Sequence, residues 1–265
     1  MSSVASMIDY GQFCTVARGA EVIGQRWTPL VVRELLCGST RFNDIHRGVP
    51  RMSRTLLAER LRTLEEVGVV RRTTAGSVVE YHLTQAGEEL RPIIIALGHW
   101  GARWIGSRLK RDQLDAGFLM WDIRRFIRVE ECPQERSVVI HFRLTDAPPG
   151  ERLWWLVVSG GEADLCREDP GQGATLIVES TVRSLTEVWT GDRQPDDATK
   201  TRAVRVVGAP RDAVALWRWL GRSAFAETRA ERPRARLPAA VSARRGPIAR
   251  PITPTSSRGA RTPAS

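Results

Sequence analysis

Signals that start and stop helices between Thr28 and Gly68 constrain the fold of this 265-residue chain more than any other feature. Residues 16–23 carry apolar side chains at helical intervals. Thr28 then suits a helix N-cap, Pro29 suits the first helical position, and Gly38 suits the stop. This stretch therefore predicts two short helices before residue 39.

Two further helices are predicted directly downstream. Residues 40–47 form a short helix that the sequence Gly48-Val49-Pro50 ends. Ser53 can cap the next helix, which Gly68 terminates. Its apolar stripe consists of Leu57, Leu61 and Leu64. Two short helices joined by a tight turn indicate a helix-turn-helix, whose second helix enters the DNA major groove by its N-terminal end.

After Gly68 the pattern changes from helical spacing to alternation. The segments VVRRTT and VVEYHLT flank Gly76 and predict a two-stranded hairpin, the wing of a winged helix. A helix from Gln85 to about Lys110 is predicted next, and its length and apolar face suggest a dimer contact. That face is made of Ile94, Leu97, Trp100 or Gly101, Trp104 and Ile105.

Polar and basic residues at the start of the second helix and on the wing are the DNA-binding candidates. They are Arg51, Ser53, Arg54, Thr55, Arg62, Arg71, Arg72, Thr74 and Ser77. Arginine is the side chain that most often reads guanine, and a wing can reach backbone phosphates or the minor groove. A solvated helix face is the alternative for the helix residues, and Ser53 suits a cap better than a base reader. Strand alternation implies that only one of Arg71 and Arg72 faces DNA.

These residues resemble a known family. The run from Cys14 to Gly38, the segment R-F-N-D-I at Arg41, L-x-x-R-L-x-x-L-E-x-x-G at Leu57 and E-Y-H-L-T-x-x-G at Glu80 are similar to the HxlR-type branch of the MarR-like winged-helix regulators. The resemblance covers about residues 10–105. It implies a homodimer, more often a repressor than an activator, on double-stranded DNA with a pseudo-palindromic operator. It also places Cys14 where some members carry a redox-sensing thiol; a sensor needs a lowered pKa and exposure.

The second segment, residues 111–228, predicts an α+β layer of its own. A helix over 115–128 precedes strands over 137–144, 152–159, 163–167 and 174–179, with a hairpin at Gly160-Gly161. A helix over 180–189, capped by Ser180 or Thr181 and stopped by Gly191, a strand over 203–207 and a helix over 210–220 complete it.

The order of these elements resembles a sterol-carrier-type lipid-binding domain. The resemblance implies an apolar pocket for a hydrophobic small molecule or lipid, with Trp154, Trp155, Trp189 and Trp217 as candidate lining residues. The alternative is that these indoles only pack the core. Trp154 and Trp155 are adjacent on a strand, so they should face opposite sides of the sheet.

Charge separates a third segment. The net charge of +10 divides into +5 for residues 1–110, −3 for 111–228 and +8 for 229–265. The last segment is rich in Arg and Pro, has no aromatic residue and is predicted to be a disordered tail. Such a tail either attracts phosphates without sequence preference or only improves solubility.

Several function classes are disfavoured. There is no apolar run long enough to insert in a membrane and no secretory signal, so a cytoplasmic location is expected. The cysteines are far apart, which argues against a metal site, and no cofactor motif is present. An enzyme in the second half could use only His141, Asp164, Cys166 or Asp192, none of which lies in a catalytic motif. A lipid carrier with a secondary DNA-binding module remains the alternative to a regulator.

Overall fold

The computed structural model describes residues 9–105 and 109–230, which form a mixed α and β structure. An N-terminal winged helix-turn-helix precedes a five-stranded sheet covered by helices. None of the helices in these residues is both long and apolar enough to span a membrane. The predicted tail begins at 229, but Arg229 and Ala230 lie in a helix, and residues 231–265 lie outside the described part of the chain.

Four helices build the helix-turn-helix region: α1 (Thr15–Ile23), α2 (Thr28–Leu36), α3 (Phe42–Gly48) and α4 (Arg54–Glu66). Ser53 caps α4 as predicted, because its Oγ accepts a hydrogen bond from the Leu56 amide at 3.2 Å. The prediction that Thr28 is an N-cap is wrong. Trp27 takes the cap position with a left-handed φ of 76°, so Thr28 is already helical.

The wing consists of β1 (Val70–Ala75) and β2 (Val78–Leu83). The helix predicted from Gln85 to about Lys110 is instead two helices, α5 (Gln85–Glu88) and α6 (Arg91–Trp104). Pro92 has no amide hydrogen to donate to the preceding turn, so it starts a new helix rather than continuing the old one. Ile105 already has extended backbone, so α6 does not reach Lys110.

The second region begins with α7 (Ala116–Phe126), which Asp115 caps. Its strands are β3 (Val138–Leu144), β4 (Leu153–Ser159), β5 (Glu162–Cys166), β6 (Leu176–Ser180) and β7 (Val204–Gly208). Its further helices are α8 (Val182–Trp189), α9 (Pro195–Lys200), α10 (Pro210–Leu220) and α11 (Ala226–Ala230). Thr181, one of the two predicted caps, caps α8 through a bond from the Ser184 amide.

The sheet has the strand order β5-β4-β3-β6-β7. All neighbouring pairs are antiparallel except β3 and β6, which are parallel because the chain crosses over between β5 and β6. Alternate side chains of β3, such as Ile140 and Phe142, are completely buried. They point to the side of the sheet whose core also includes residues of α7, α8 and α10.

The two regions meet through a buried ion pair between α2 and α7. Glu34 is completely buried and accepts hydrogen bonds from both terminal nitrogens of Arg125, one at 3.2 Å, and from Arg33. Gly48 lies so close that a Cβ atom there would stand 1.8 Å from the Glu34 carboxylate. Burial raises the pKa of the adjacent Asp122, although bonds from Trp189 and the charge of Arg125 oppose this.

A second contact joins the regions at α6. The ring of Phe225, just before α11, packs on Gly98, where a Cβ atom would stand 2.2 Å from it. His99 on α6 hydrogen-bonds Thr228 of α11 at 2.6 Å. The end of the second region therefore folds back onto the helix that closes the first.

Candidate DNA-binding surface

The N-terminal end of α4 is organised by α3. The Arg54 guanidinium donates a hydrogen bond to Asn43 Oδ1 at 2.7 Å and lies 5.1 Å from the ring centre of Phe42. Both partners belong to α3, so Arg54 is held across the two helices of the motif. Thr55 beside it is exposed. Polar groups at a helix N-terminus held in this way are suited to meet base edges or phosphates.

The candidate arginines form an exposed set of cations without carboxylate partners. In the described ranges, no ion pair involves Arg51, Arg54, Arg62, Arg71 or Arg72, and all five are exposed. Nearby Arg41 and Arg47 differ, since they pair with Glu80 and Asp44. Unpaired guanidinium groups keep their full charge and their donors for phosphates.

The polar residues of the wing lie at different positions along the hairpin, some near its tip and some nearer its base. Arg71 lies opposite His82 and Arg72 opposite Tyr81, and both arginines are exposed. Thr74 and Ser77 are exposed near the tip, where Gly76 has a φ of 60° in a two-residue turn. The base of the wing is tied to the helices, because the Tyr81 amide donates to the Thr40 carbonyl at 2.8 Å.

An exposed apolar stripe runs along α6. Ile93, Leu97 and Trp100 are 47%, 51% and 49% exposed and recur at positions i, i+4 and i+7, on one face of the helix. Half-buried Trp104 extends the stripe. The predicted face is therefore corrected in part, because Ile94 points into the winged-helix core.

The cysteines differ in environment. Cys14 is exposed at the N-cap position of α1, whereas Cys132 is buried. Burial, assisted by the charges of Glu130 and Glu131, raises the pKa of the Cys132 thiol to about 11. Exposure is thus present at Cys14, one of the two conditions for a reactive thiol.

The four candidate ligand tryptophans do not gather around one cavity. Trp154 and Trp189 pack in the core with 5% exposure each, and half-buried Trp217 packs against that core. Trp155 is on the other side of the sheet, stacked on His141 at 4.5 Å. Only Trp154 also lines a cleft of about 350 Å³, which lies between the two regions. The lining is His46, Arg47, Pro50, Asp115, Gly117, Phe118, Trp121, Glu151, Trp154, Leu165 and Arg167.

The residue types considered for catalysis are not assembled. His141 and Cys166 lie on either side of Trp155, two strands apart in the sheet. Asp164 is near Arg124, and Asp192 pairs with Arg229. Within residues 9–105 and 109–230, no three His, Cys, Asp or Glu side chains are arranged to hold a metal ion.

Sequence reasoning missed Asn43 and the arginines of the cleft. Asn43 stands in the R-F-N-D-I segment, and its position one helix before Arg54 was the available signal. Arg47 and Arg167 are 120 positions apart along the chain, and only the tertiary fold brings them to one cleft.

Comparison with known proteins finds similarity in the first region. The HxlR-like helix-turn-helix family matches residues 22–108. An uncharacterized HTH-type transcriptional regulator, YvaP of Bacillus subtilis, is 37% identical over 91 residues, which are 33% of this chain and 84% of that protein. An uncharacterized HTH-type regulator of Mycobacterium tuberculosis, Rv3095, is 40% identical over 34% of this chain and 59% of its own length. The reduced form of the transcriptional regulator YodB from B. subtilis is 30% identical, with a TM-score of 0.32, over 36% of this chain and 96% of its own.

Proposed function

This chain belongs to the HxlR-like helix-turn-helix family of transcriptional regulators, and from this premise we propose that it is a repressor that binds a pseudo-palindromic operator as a homodimer. Residues 1–110 form the DNA-binding part, and residues 111–228 form a part that responds to a hydrophobic small molecule. One observation carries the proposal: exposed, unpaired arginines stand at the capped start of α4 and on the wing.

DNA reading is divided between α4 and the wing. Arg54 and Thr55 enter the major groove, with Arg54 oriented by Asn43 and Phe42. Arg51, Ser53 and Arg62 flank them and meet phosphates. On the wing, Thr74, Ser77 and whichever of Arg71 and Arg72 faces DNA contact the backbone or the minor groove beside the same half-site.

The homodimer uses the stripe of Ile93, Leu97 and Trp100 on α6. Exposed apolar side chains aligned on one helix are the pattern of a surface that is covered by a partner. A two-fold contact through this stripe would place two α4 helices to read two half-sites of a palindrome. Leu97→Glu puts a charge in this apolar contact and is expected to yield monomers in analytical ultracentrifugation.

The second part is sterol-carrier-like in the order of its elements. A helix precedes three antiparallel strands, a crossover leads to β6, and α8 is followed by Gly191-Asp192. The short β7 then ends in Gly208 before α10. A hydrophobic ligand would alter DNA binding only if it bound the DNA-competent and incompetent states with different affinity. The Glu34–Arg125 contact provides the mechanical connection between the parts.

The proposal is tested by selecting a binding sequence from random duplex DNA and measuring affinity by fluorescence anisotropy at 150 mM salt. Arg54→Ala should cost about 1–3 kcal/mol on the selected site and relax discrimination at one base pair. Of Arg71→Ala and Arg72→Ala, the variant that removes the side chain facing DNA should weaken selected and random DNA alike and lower the salt slope by about one, and the other variant should have a smaller effect.

Arg211→Ala is the matched control, because the Arg211 side chain is 80% exposed and belongs to α10 of the second region, not to α4 or the wing. A chain that ends at Ala230 isolates the contribution of the basic tail. Absence of any selected sequence would contradict the regulator proposal. If Arg54→Ala weakened binding no more than Arg211→Ala, α4 would not be the recognition helix.

A further inference from the structure

We propose that the cleft between the two regions is a binding site for a planar aromatic molecule with a single carboxylate group. The site lies outside the sheet-helix core in which the sterol-carrier resemblance would place a ligand. Its existence is independent of DNA binding, whereas its regulatory consequence rests on the proposed function.

The walls of the cleft are aromatic. Phe118 and Trp121 come from α7, and Trp154 and Leu165 come from β4 and β5. The volume of about 350 Å³ is in the range of small-molecule sites, which are lined by apolar side chains and a few polar groups. Flat rings on two elements favour a flat ligand that can stack between or against them.

Trp121 in the wall of the cleft is buried and contacts several cations. Trp121 is 6% exposed, and its indole Nε1 is buried with no hydrogen-bond partner in the described residues. Because this nitrogen has almost no accessible surface, Trp121 offers its ring rather than its donor to a ligand in the cleft. Trp121 is also surrounded by the guanidinium groups of Arg47, Arg124 and Arg125, at 5.1 to 5.8 Å from its ring centre.

Arg167 supplies the hydrogen-bond donors that a ligand in the cleft can reach. Its guanidinium lies 4.1 Å from the ring centre of Trp154, and within the described residues it has no ion pair. Stacking on the indole orients the guanidinium plane and leaves its edge donors free for a carboxylate, which it can hold with two parallel bonds. The other cleft arginine, Arg47, is already paired with Asp44 at 3.0 Å.

Two carboxylates limit the charge that the ligand can carry. Asp115 accepts the bond from the Phe118 amide that caps α7, at 2.8 Å, and Glu151 also lines the cleft. Their negative charge opposes polyanions such as nucleotides. A ligand with one carboxylate directed to Arg167 and an apolar ring directed to Trp121 and Phe118 matches the aromatic walls and carries only one negative charge.

The cleft also reaches the turn that positions the recognition helix. His46 Nε2 donates to the Met52 carbonyl at 2.9 Å, one residue before the cap Ser53. His46 and Pro50 both line the cleft. A ligand there contacts the turn between α3 and α4 directly, so binding can change the position of α4.

The test is isothermal titration calorimetry of the full chain with three probes of one shape: 2-naphthoate, neutral 2-naphthamide and cationic 2-naphthylmethylammonium. We expect 2-naphthoate to bind at least about tenfold more tightly than the other two, as one charge-assisted contact allows. Arg167→Gln should remove this preference and leave the amide affinity unchanged within a factor of about two. Trp121→Phe, which reduces the aromatic area of the cleft wall, should weaken all three probes alike and keep the preference for 2-naphthoate.

Gly117 offers a blocking variant with its own control. A Cβ atom there would meet Trp154 at 3.8 Å, an ordinary contact, so Gly117→Ala should fold and bind, whereas Gly117→Leu should fill the cleft and abolish binding of all probes. Arg211→Gln should change nothing. No binding of any probe, tighter binding of the ammonium, or an unaltered preference in Arg167→Gln would each overturn the proposal.

Measuring DNA binding with and without the probe tests the ligand site and the proposed regulatory function separately. With 2-naphthoate at saturation, we expect the affinity for the selected DNA to change at least fivefold, the lower end of typical couplings. Probe binding in a chain that recognises no DNA sequence would refute the regulator and keep the site. Sequence-specific DNA binding in a chain that binds no probe would refute the site alone.

Discussion

The two regions of this protein use apolar side chains in opposite ways. Fourteen large apolar residues are exposed among those that the structure describes; eleven belong to residues 9–105 and three to residues 109–230. The winged-helix core is aliphatic, with no fully buried aromatic ring, and its rings at Trp27, Phe42 and Tyr81 are only partly buried. The second core instead buries Phe142, Trp154, Trp189 and Trp219.

This difference separates a region with exposed surfaces from a region with a packed aromatic core. The first region exposes basic side chains on α4 and the wing and apolar side chains on α6. The second region buries its large side chains and contributes polar contacts to the first, above all Arg125 to Glu34. The first region thus carries the exposed candidate surfaces, and the second region packs against it through buried polar contacts.

The strongest test of this support removes one partner of the buried pair. Arg125→Met should lower the free energy of unfolding by about 3–5 kcal/mol, because Glu34 would keep a completely buried charge with only Arg33 beside it. Urea unfolding followed by circular dichroism measures the effect. The double variant Glu34→Leu/Arg125→Met should recover most of the loss, since no buried charge remains.

Arg143→Met is the control for that series, because Arg143 also pairs with a glutamate, Glu179, but is 43% exposed. It should cost no more than about 1 kcal/mol, as surface pairs do. If Arg125→Met cost as little as Arg143→Met, the regions would not depend on each other through this contact.

The contact at α6 should have a smaller effect. Gly98→Ala places a methyl group against the Phe225 ring and should cost about 1–3 kcal/mol, the usual result of overpacking. In Phe225→Leu the smaller side chain leaves room, so adding Gly98→Ala to it should cost clearly less. Equal costs in both backgrounds would show that α11 does not dock on α6 in solution.

Local signals were read correctly from the sequence where neighbouring residues decide the structure. Ser53 and Thr181 cap helices, and Gly160-Gly161 joins β4 to β5, because caps and tight turns depend on a few adjacent residues. The short α9 was missed, although Pro195 near its start and acidic residues in its first turn are typical helix signals.

Tertiary relations could not be predicted in the same way. Nothing near Glu34 indicates a partner at Arg125, 91 positions later, and nothing near Gly98 indicates Phe225. The left-handed Trp27 contradicts the preference of a bulky residue, so only the surrounding fold accounts for it. The candidate DNA-binding residues were accessible to sequence reasoning because they are local to α4 and the wing, whereas the cleft joins residues from both regions.

The smallest effect is expected at His141, on the side of the second region's sheet that carries Trp155. Burial and the charge of Arg143 lower the pKa of His141 below its ordinary value of 6.5, despite the opposing charges of Asp169 and Glu179. Its Nε2 is buried and has no hydrogen-bond partner within residues 9–105 and 109–230, and its ring stacks on Trp155.

The direction of the pH effect follows from which state binds the proton. As the pH falls through 6.5, the unfolded chain protonates at His141 before the folded chain does, so the free energy of unfolding decreases toward the folded pKa. The slope for one group is at most about 1.4 kcal/mol per pH unit. His141→Phe keeps an aromatic ring on Trp155 and should remove this component. The measurement is urea unfolding of the unmodified protein and of His141→Phe between pH 8 and pH 5. If the two free energies of unfolding differed by the same amount at every pH, the lowered pKa of His141 would be contradicted.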